Sequence, residues 1–419
     1  MTRFPQLRPY PHDAHPAIIL GRYSTTNLGA IHSLAAHHIP TIVIDARRQS
    51  SFFSRCTTGI QSPNPTTHPH DYITFLQDLS HHLPQPGILF PTGDTETLLL
   101  AQHANDLNHY YSTSAPYDLL NTLINKHSLA DLLTHHHIPH PITYTIDPTS
   151  DLASLSATMT YPCILKPQYP TQFRLDFPLK AFYATTPTEF REYSAKAATK
   201  GHAMIAQEII PGTAQAMHGF NAYYDTTGNP HAPFEYQRIR EWPLEFGNGC
   251  FLQHVHEPSL ETMTTSLLKP LKYHGIVDVE FRYDHRDDTF KLIEINPRLW
   301  MQNNFPASLG YNHAYLAYLD ALQQPLPPDT YSKSSPTRWV FGAEDLHSSL
   351  AALQKGTLSV GEWLSAYRPT NIHATFSYQD PMPWVVAAYR SVVWSCSLAL
   401  HRKAENPTSL RERSMNTQP

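Results

Sequence analysis

Cysteine is scarce: Cys56, Cys163, Cys250 and Cys396 are the only four in 419 residues, and no two form a CxxC pair. That scatter excludes a zinc knuckle and a disulfide framework, and it predicts reduced thiols in a cytoplasmic protein. Charge of one sign is also lacking. The formal net charge is -5, the pI is near 6.6, and no dense Lys/Arg run occurs, so the footprint of a nucleic-acid binder is missing. The proline-punctuated stretch Met1 to Pro16 has no continuous apolar core of the kind a secretory signal needs. Gly21 and Gly29 do not make a GxGxxG fingerprint, so no dinucleotide site is read. The stretch from Pro383 to Leu400 has the length of a membrane helix, but Arg390 interrupts it and Ser391, Ser395 and Ser397 dilute it. A packed helix is expected there rather than a span, with weak interfacial membrane contact as the competing reading.

What is present begins with size: 47.5 kDa accommodates two or three domains, each with its own core. Histidine is abundant at 27 residues. His135-His136-His137 resembles a metal tract, yet adjacent side chains diverge on a helix. His37-His38 and His81-His82 repeat the habit at helix ends, before Ile39-Pro40 and Leu83-Pro84. Compositional bias explains the pairs better than metal binding does.

The first hundred residues alternate strand and helix in a Rossmann-like manner. Ala17–Leu20, Thr41–Asp45 and Gly87–Phe90 read as strands, and Asn27–His38 and Thr95–Leu107 as helices. After Pro116 one helix is predicted from Leu119 to about His137, ended by Ile138-Pro-His-Pro141. Strands at Ile142–Ile146, Cys163–Lys166, Ala203–Glu208 and Gly219–Tyr224 follow, then an antiparallel pair at Ile276–Tyr283 and Phe290–Ile295.

That pair carries the most informative chemistry. If the turn is centred on Asp287, Glu280 lies across from Glu294, and Asn296 projects from the same face as Glu294. Facing carboxylates repel unless a cation lies between them. Hard oxygen ligands of this kind suit Mg2+ carrying nucleotide phosphates, with Mn2+ as the alternative ion. Ile293, Ile295 and Pro297 mark the strand as buried, and buried acids need a partner.

Glu280 followed by Ile293-Glu-Ile-Asn-Pro-Arg298 resembles the metal-binding strand pair of the ATP-grasp superfamily. The resemblance implies that Glu280, Glu294 and Asn296 hold magnesium and that Arg298 neutralises the transferring phosphoryl. Tyr161-Pro-Cys-Ile-Leu-Lys-Pro167 is similar to the strand whose lysine touches nucleotide phosphates, implicating Lys166, and Asn125-Lys126 matches the earlier lysine. Ala206-Gln-Glu-Ile-Ile-Pro-Gly212 resembles the adenine hinge, which gives Gln207, Glu208 and Ile210 nucleotide contacts. Gln215 stands where the family often has an acid for the ribose. The family's Gly-rich loop is missing, since Gln168–Leu179 contains no glycine. Arg174 and Lys180 are offered instead, and Lys180 resembles the D-aspartate ligase-like branch. Arg238, Arg240, Trp242 and Pro243, and a late Asp-Pro-x-Pro at Asp380–Pro383, share that look. Arg238 and Arg240, two apart on an extended segment, would share one face and could grip a substrate carboxylate or an acyl phosphate.

The fold implied is α/β and α+β: a Rossmann-like pre-ATP-grasp domain over 1–115 and a two-lobed ATP-grasp module over 116–330. The lid is expected at about 125–205, the nucleotide and metal lobe at about 206–330, and a C-terminal extension over 331–419. The implied activity is ATP-dependent joining of a small-molecule acid to an amine through an acyl phosphate. Activation of an enol hydroxyl, as in mycosporine-glycine synthase-like enzymes, and ATP binding without catalysis are the competing readings.

Overall fold

The computed structural model describes residues 4 and 7–391, apart from 22, 108, 148, 169, 245–246, 329–335 and 369–370. The chain forms two compact units, Met1–Ile124 with Gly212–Val386 and Asn125–Pro211 with Ala387–Pro419.

In the first unit, β1 (Ala17–Leu20), β2 (Thr41–Asp45), β3 (Thr57–Gln61), β4 (Ile88–Pro91) and β5 (Tyr110–Tyr111) make a parallel sheet in the order β3-β2-β1-β4-β5. Strands β1, β2 and β4 are buried along their whole length, which is why they read as unbroken apolar runs rather than alternating ones. Strands β3 and β5 had no such run and were not expected. Helix α1 (Ser24–Ala35), α2 (Pro69–Ser80) and α3 (Asp94–Gln102) connect the strands. The helix expected to reach Leu107 stops at Gln102, with His103 as its C-cap.

The second unit begins at Asn125. The single helix expected from Leu119 to His137 is two, α4 (Tyr117–Ile124) and α5 (Lys126–His135). They part at Asn125, whose side chain caps α5 by accepting from the His127 and Ser128 N–H groups at 3.0 and 3.3 Å. Beyond α5, β6 (Thr143–Ile146), β7 (Cys163–Pro167), β8 (Phe182–Ala184) and β9 (Met204–Glu208) form an antiparallel sheet ordered β6-β9-β7-β8. Cys163, Leu165, Met204 and Ala206 turn one face of it into a core with Phe173, Phe182 and Phe190.

Returning to the first unit, the chain builds a seven-stranded sheet from β10 (Met217–Tyr224), β11 (Pro230–Trp242), β12 (Asn248–Val255), β13 (Gly275–Asp284), β14 (Thr289–Asn296), β15 (Arg338–Val340) and β16 (Asn371–His373). Its order is β14-β13-β10-β11-β12-β15-β16. Ile19, Val43 and Phe90 of the parallel sheet and Tyr223, Phe234, Leu252, Trp300 and Trp339 belong to one continuous core, so the two sheets of this unit bury their apolar surface together. Cys56, Cys163 and Cys250 are free thiols; Cys396 lies outside the described residues, as does the second half of the Pro383–Leu400 stretch. No helix among the described residues is long and apolar enough to cross a membrane.

Candidate active site

The β13–β14 hairpin places Glu280 opposite Glu294, by a route different from the symmetric turn expected. Asp284 pairs with Thr289 and Phe281 with Leu292, a register centred short of Asp287. A bulge then adds Ile293 to β14, and Glu280 meets Glu294 and Asp278 meets Asn296. Without that extra residue the Glu294 side chain would face away from Glu280.

The register puts a row of polar side chains on one face of four adjacent strands. Arg238 of β11 donates to Glu280 at 2.7 Å, giving the carboxylate pair one fixed cation. Asp278 is buried. It accepts from the side-chain amides of Asn221 at 2.7 Å and Asn296 at 3.1 Å, and from the Tyr236 hydroxyl at 3.3 Å. Burial first, and the neighbouring Glu280 carboxylate second, push the Asp278 carboxyl up to about 7, although the amides and Arg298 oppose this. Tyr236 reaches it by crossing β10 at Gly219, where a Cβ would lie 2.1 Å from the ring. Arg298, just past β14, donates to Asn296 Oδ1 at 2.9 Å and to Asp94, at the start of α3, at 2.6 Å. Burial alone would lower the Arg298 pKa, but the carboxylates of Asp94, Glu294 and Asp278 together outweigh it and the value rises, keeping the guanidinium charged. Asp94 belongs to the Pro-Thr-Gly-Asp-Thr-Glu turn after β4, at the carboxyl end of a parallel strand where open α/β sheets place ligands.

Arg240 does something else. A bulge between Arg238 and Arg240 pairs them with Leu252 and Phe251, consecutive residues of β12, so their side chains leave on opposite faces and the expectation of a shared face fails. Arg240 makes a bidentate pair with Asp345 of the Gly342–Gln354 helix, at 2.6 and 3.0 Å. Its guanidinium lies 4.2 Å from the centroid of the Phe251 ring, and Tyr367 donates to the same carboxylate. Asp345 is wholly buried. Gln215, exposed in the turn before β10, offers its carbonyl oxygen to Gln237 at 2.7 Å.

The second unit holds the remaining residues. On the sheet face opposite its core, Lys166 Nζ donates to Gln207 Oε1 at 2.7 Å, and Gln207 donates in turn to Thr143 Oγ1 at 3.0 Å. Glu208 uses its side chain to accept the Ile142 N–H at 3.0 Å and its own N–H to donate to the Ile142 carbonyl at 2.9 Å, tying β9 to the segment before β6. Ile210 is buried just beyond β9, Lys126 opens α5, and Lys180 is exposed before β8. Asp94 and Asp278 went unassigned from the sequence. For Asp278 the signal was there: it lies two residues before Glu280 on one strand, hence on the same face.

A core of parallel strands joined to an antiparallel sheet with an acidic hairpin, together with a separate four-stranded unit, is the ATP-grasp fold. The chain is similar to biotin carboxylase from Campylobacter jejuni, with a TM-score of 0.60 at 13% identity over 76% of this chain and 73% of that one. It is also similar to L-amino acid ligase from Bacillus licheniformis (TM-score 0.57, 14% identity, 74% of each chain). For N5-carboxyaminoimidazole synthetase from Staphylococcus aureus complexed with ADP, the TM-score is 0.56 at 13% identity over 75% of this chain and 78% of that one. In sequence, the chain bears out the resemblance to the D-aspartate ligase branch. It is 25% identical over 256 residues to D-aspartate ligase from Enterococcus faecium (strain Aus0004), covering 58% of this chain. The chain spans about three fifths of the length of that relative, 61%. No family model matches.

Proposed function

We propose that this protein is an ATP-dependent ligase that joins a carboxylate to an amine. The observation that carries the reading is the facing pair Glu280 and Glu294, with Asn296 and Arg298 beside it and Arg238 on Glu280. The similarity to a D-aspartate ligase supports it.

The donor set fits a hard divalent cation. Carboxylate and amide oxygens converge from neighbouring strands, and the repulsion between the two acids is only partly relieved by Arg238. Glu280, Glu294 and Asn296 would hold magnesium, with Asp278 fixing the Asn296 amide so that its oxygen faces Arg298. When bound, the ion supplies neutralising charge on the nucleotide phosphates. Arg298, anchored by Asp94, is set to stabilise charge on the transferring phosphoryl. Lys166, steadied by Gln207, is assigned to phosphate contact, with Lys126 and Lys180 as further cations. Gln207, Glu208, Ile210 and Gln215 are assigned to the nucleoside.

In this reading a substrate carboxylate oxygen attacks the γ-phosphorus, the bond to the bridging oxygen breaks, and ADP leaves an acyl phosphate. The amine nitrogen then attacks the acyl carbon, the carbon–oxygen bond to phosphate breaks, and the amine loses a proton to solvent as phosphate departs. Positioning and charge do the work, with no protein nucleophile.

The test is a phosphate-release screen in which amino acids and peptides are offered in pairs with Mg-ATP. Release that requires both co-substrates, and that Glu294→Gln reduces at least 100-fold by order of magnitude, is expected. ATP binding without turnover across the screen would overturn the reading.

A further inference from the structure

A polar cleft lies in the first unit, away from the carboxylate hairpin. Its walls come from the segments that enter the parallel strands and from the end of the His313–Ala321 helix: His109 stands just before β5, and His15, in an adjoining cleft, just before β1. This is the amino end of the parallel strands, whereas Asp94 lies at their carboxyl end. In the antiparallel sheet, His274 stands just before β13, six residues from Glu280, or roughly 20 Å at the rise of a strand.

The floor of the cleft carries three side chains bonded to one another. Asp320 Oδ2 meets the Tyr223 hydroxyl and, at 2.8 Å, His274 Nε2, and the hydroxyl lies 3.0 Å from the same nitrogen. An ionised carboxylate only accepts, so both partners donate to it. Burial first, and the Asp320 carboxylate second, push the Tyr223 phenol well above its ordinary range, so it stays protonated as a donor. Asp320 Oδ1 has no protein donor among the described residues, and the side chain is 21% exposed. One oxygen is thus fixed by two donors and the other is left to the cleft.

The surroundings favour positive charge. The cleft has a volume of about 650 Å3 and shares Tyr110, Gln323 and Gln324 with the adjoining one of about 400 Å3, which Asp13 also lines. No Lys or Arg lines either cleft among the described residues. The His313–Ala321 helix ends on this space at Ala321, with the negative end of its dipole. Tyr110 adds an aromatic ring, 40% exposed. An anion would meet the Asp320 carboxylate and the helix end with no cation to hold it. A divalent metal ion lacks ligands, since no three His, Cys, Asp or Glu side chains converge on one among the described residues. An organic ammonium fits: it donates to the free carboxylate oxygen, and its apolar stem can lie along Tyr110 and Pro325.

We propose that this cleft binds the primary ammonium group of a small alkyl amine, with Asp320 as its counter-ion, at a site separate from the catalytic hairpin. The inference stands independently of the ligase reading. The experiment is calorimetric titration of the full chain with putrescine, and with 1,4-butanediol as the uncharged molecule of similar chain. Saturable binding of putrescine, weakened by added salt and not matched by the diol, is expected. Asp320→Asn keeps the shape and removes the charge, and should weaken binding roughly tenfold. Tyr110→Ser, on the short edge strand β5, should weaken it roughly threefold with an unchanged melting temperature. Absence of putrescine binding overturns the proposal, as does binding that the diol equals or that neither variant changes. Displacement of putrescine by an equal concentration of magnesium would make the cleft a general cation site and overturns it too.

Discussion

Arg238 and Arg240 show how far a residue pair can be read from spacing. Two apart on an extended segment they should share a face, and one bulge, invisible in the sequence, sends them apart. Arg238 reaches Glu280 at 2.7 Å, while Arg240 is spent on Asp345. Truncating Arg240 to Ala leaves a wholly buried carboxylate without its cation, and the expected cost is about 3–5 kcal/mol, measurable by chemical denaturation. Arg238→Ala also removes a cation from an acidic pair, but there the carboxylates sit where a divalent ion is assigned. Magnesium should therefore restore part of the lost stability in Arg238→Ala and none of it in Arg240→Ala. Equal responses to magnesium in the two variants would separate Arg238 from the metal site. The pairing of Glu280 with Glu294 was legible because the extra residue at Ile293 restores the register centred on Asp287 that equal spacing from the turn suggests. Asp278 shared that parity, yet with no partner visible along the chain its role emerged only when Asn296 and Asn221 were seen to donate to it.

At the scale of elements, the histidine pairs find a local explanation. After α1, His38 adopts φ 60° while Ile39 N–H returns to the Leu34 carbonyl and His38 N–H to Ala35. After α5, His137 adopts φ 54° while Ile138 N–H returns to Leu133 and His137 N–H to Thr134. Both are Schellman endings with histidine in the left-handed position that glycine favours. Each apolar follower, Ile39 and Ile138, is buried against its unit. His38→Gly and His137→Gly should each raise stability by about 0.5–1 kcal/mol, by relieving the left-handed side chain. Their effects should add, since the sites lie in different compact units. A loss of stability in equilibrium unfolding would show that the imidazoles make contributions beyond the cap. The helix ends at His38 and His137 were legible from the Ile-Pro punctuation. The break at Asn125 was not, because apolar spacing runs on through it and only the cap hydrogen bonds reveal that a new helix begins there.

At the scale of the whole molecule, the first unit is assembled from distant parts of the chain, and its late segment is clasped to its early one by Asp380, far from His32 and Ser54 in sequence. The motif Asp380–Pro383 was visible as a likeness to the D-aspartate ligase branch, but nothing along the chain said what the aspartate would meet. Burial alone would raise its pKa; the hydrogen bonds from Ser54, His32 and the Arg55 N–H outweigh burial and hold the carboxyl below its usual range. The sign of the consequence follows from that. A carboxyl depressed in the folded state binds protons less readily there than in the unfolded chain, so its contribution is complete above the unfolded value of about 3.9. It is lost as pH falls through the lower folded value. Asp380→Asn removes the charge while keeping the shape, so at neutral pH the variant should be less stable by about 1–3 kcal/mol. The gap between variant and wild type should then narrow on acidification below about pH 4. Denaturant titrations of both proteins at neutral pH and in mild acid measure the two gaps. A gap that stays constant with pH would mean that the clasp holds through shape and neutral hydrogen bonds rather than through the ionised carboxylate.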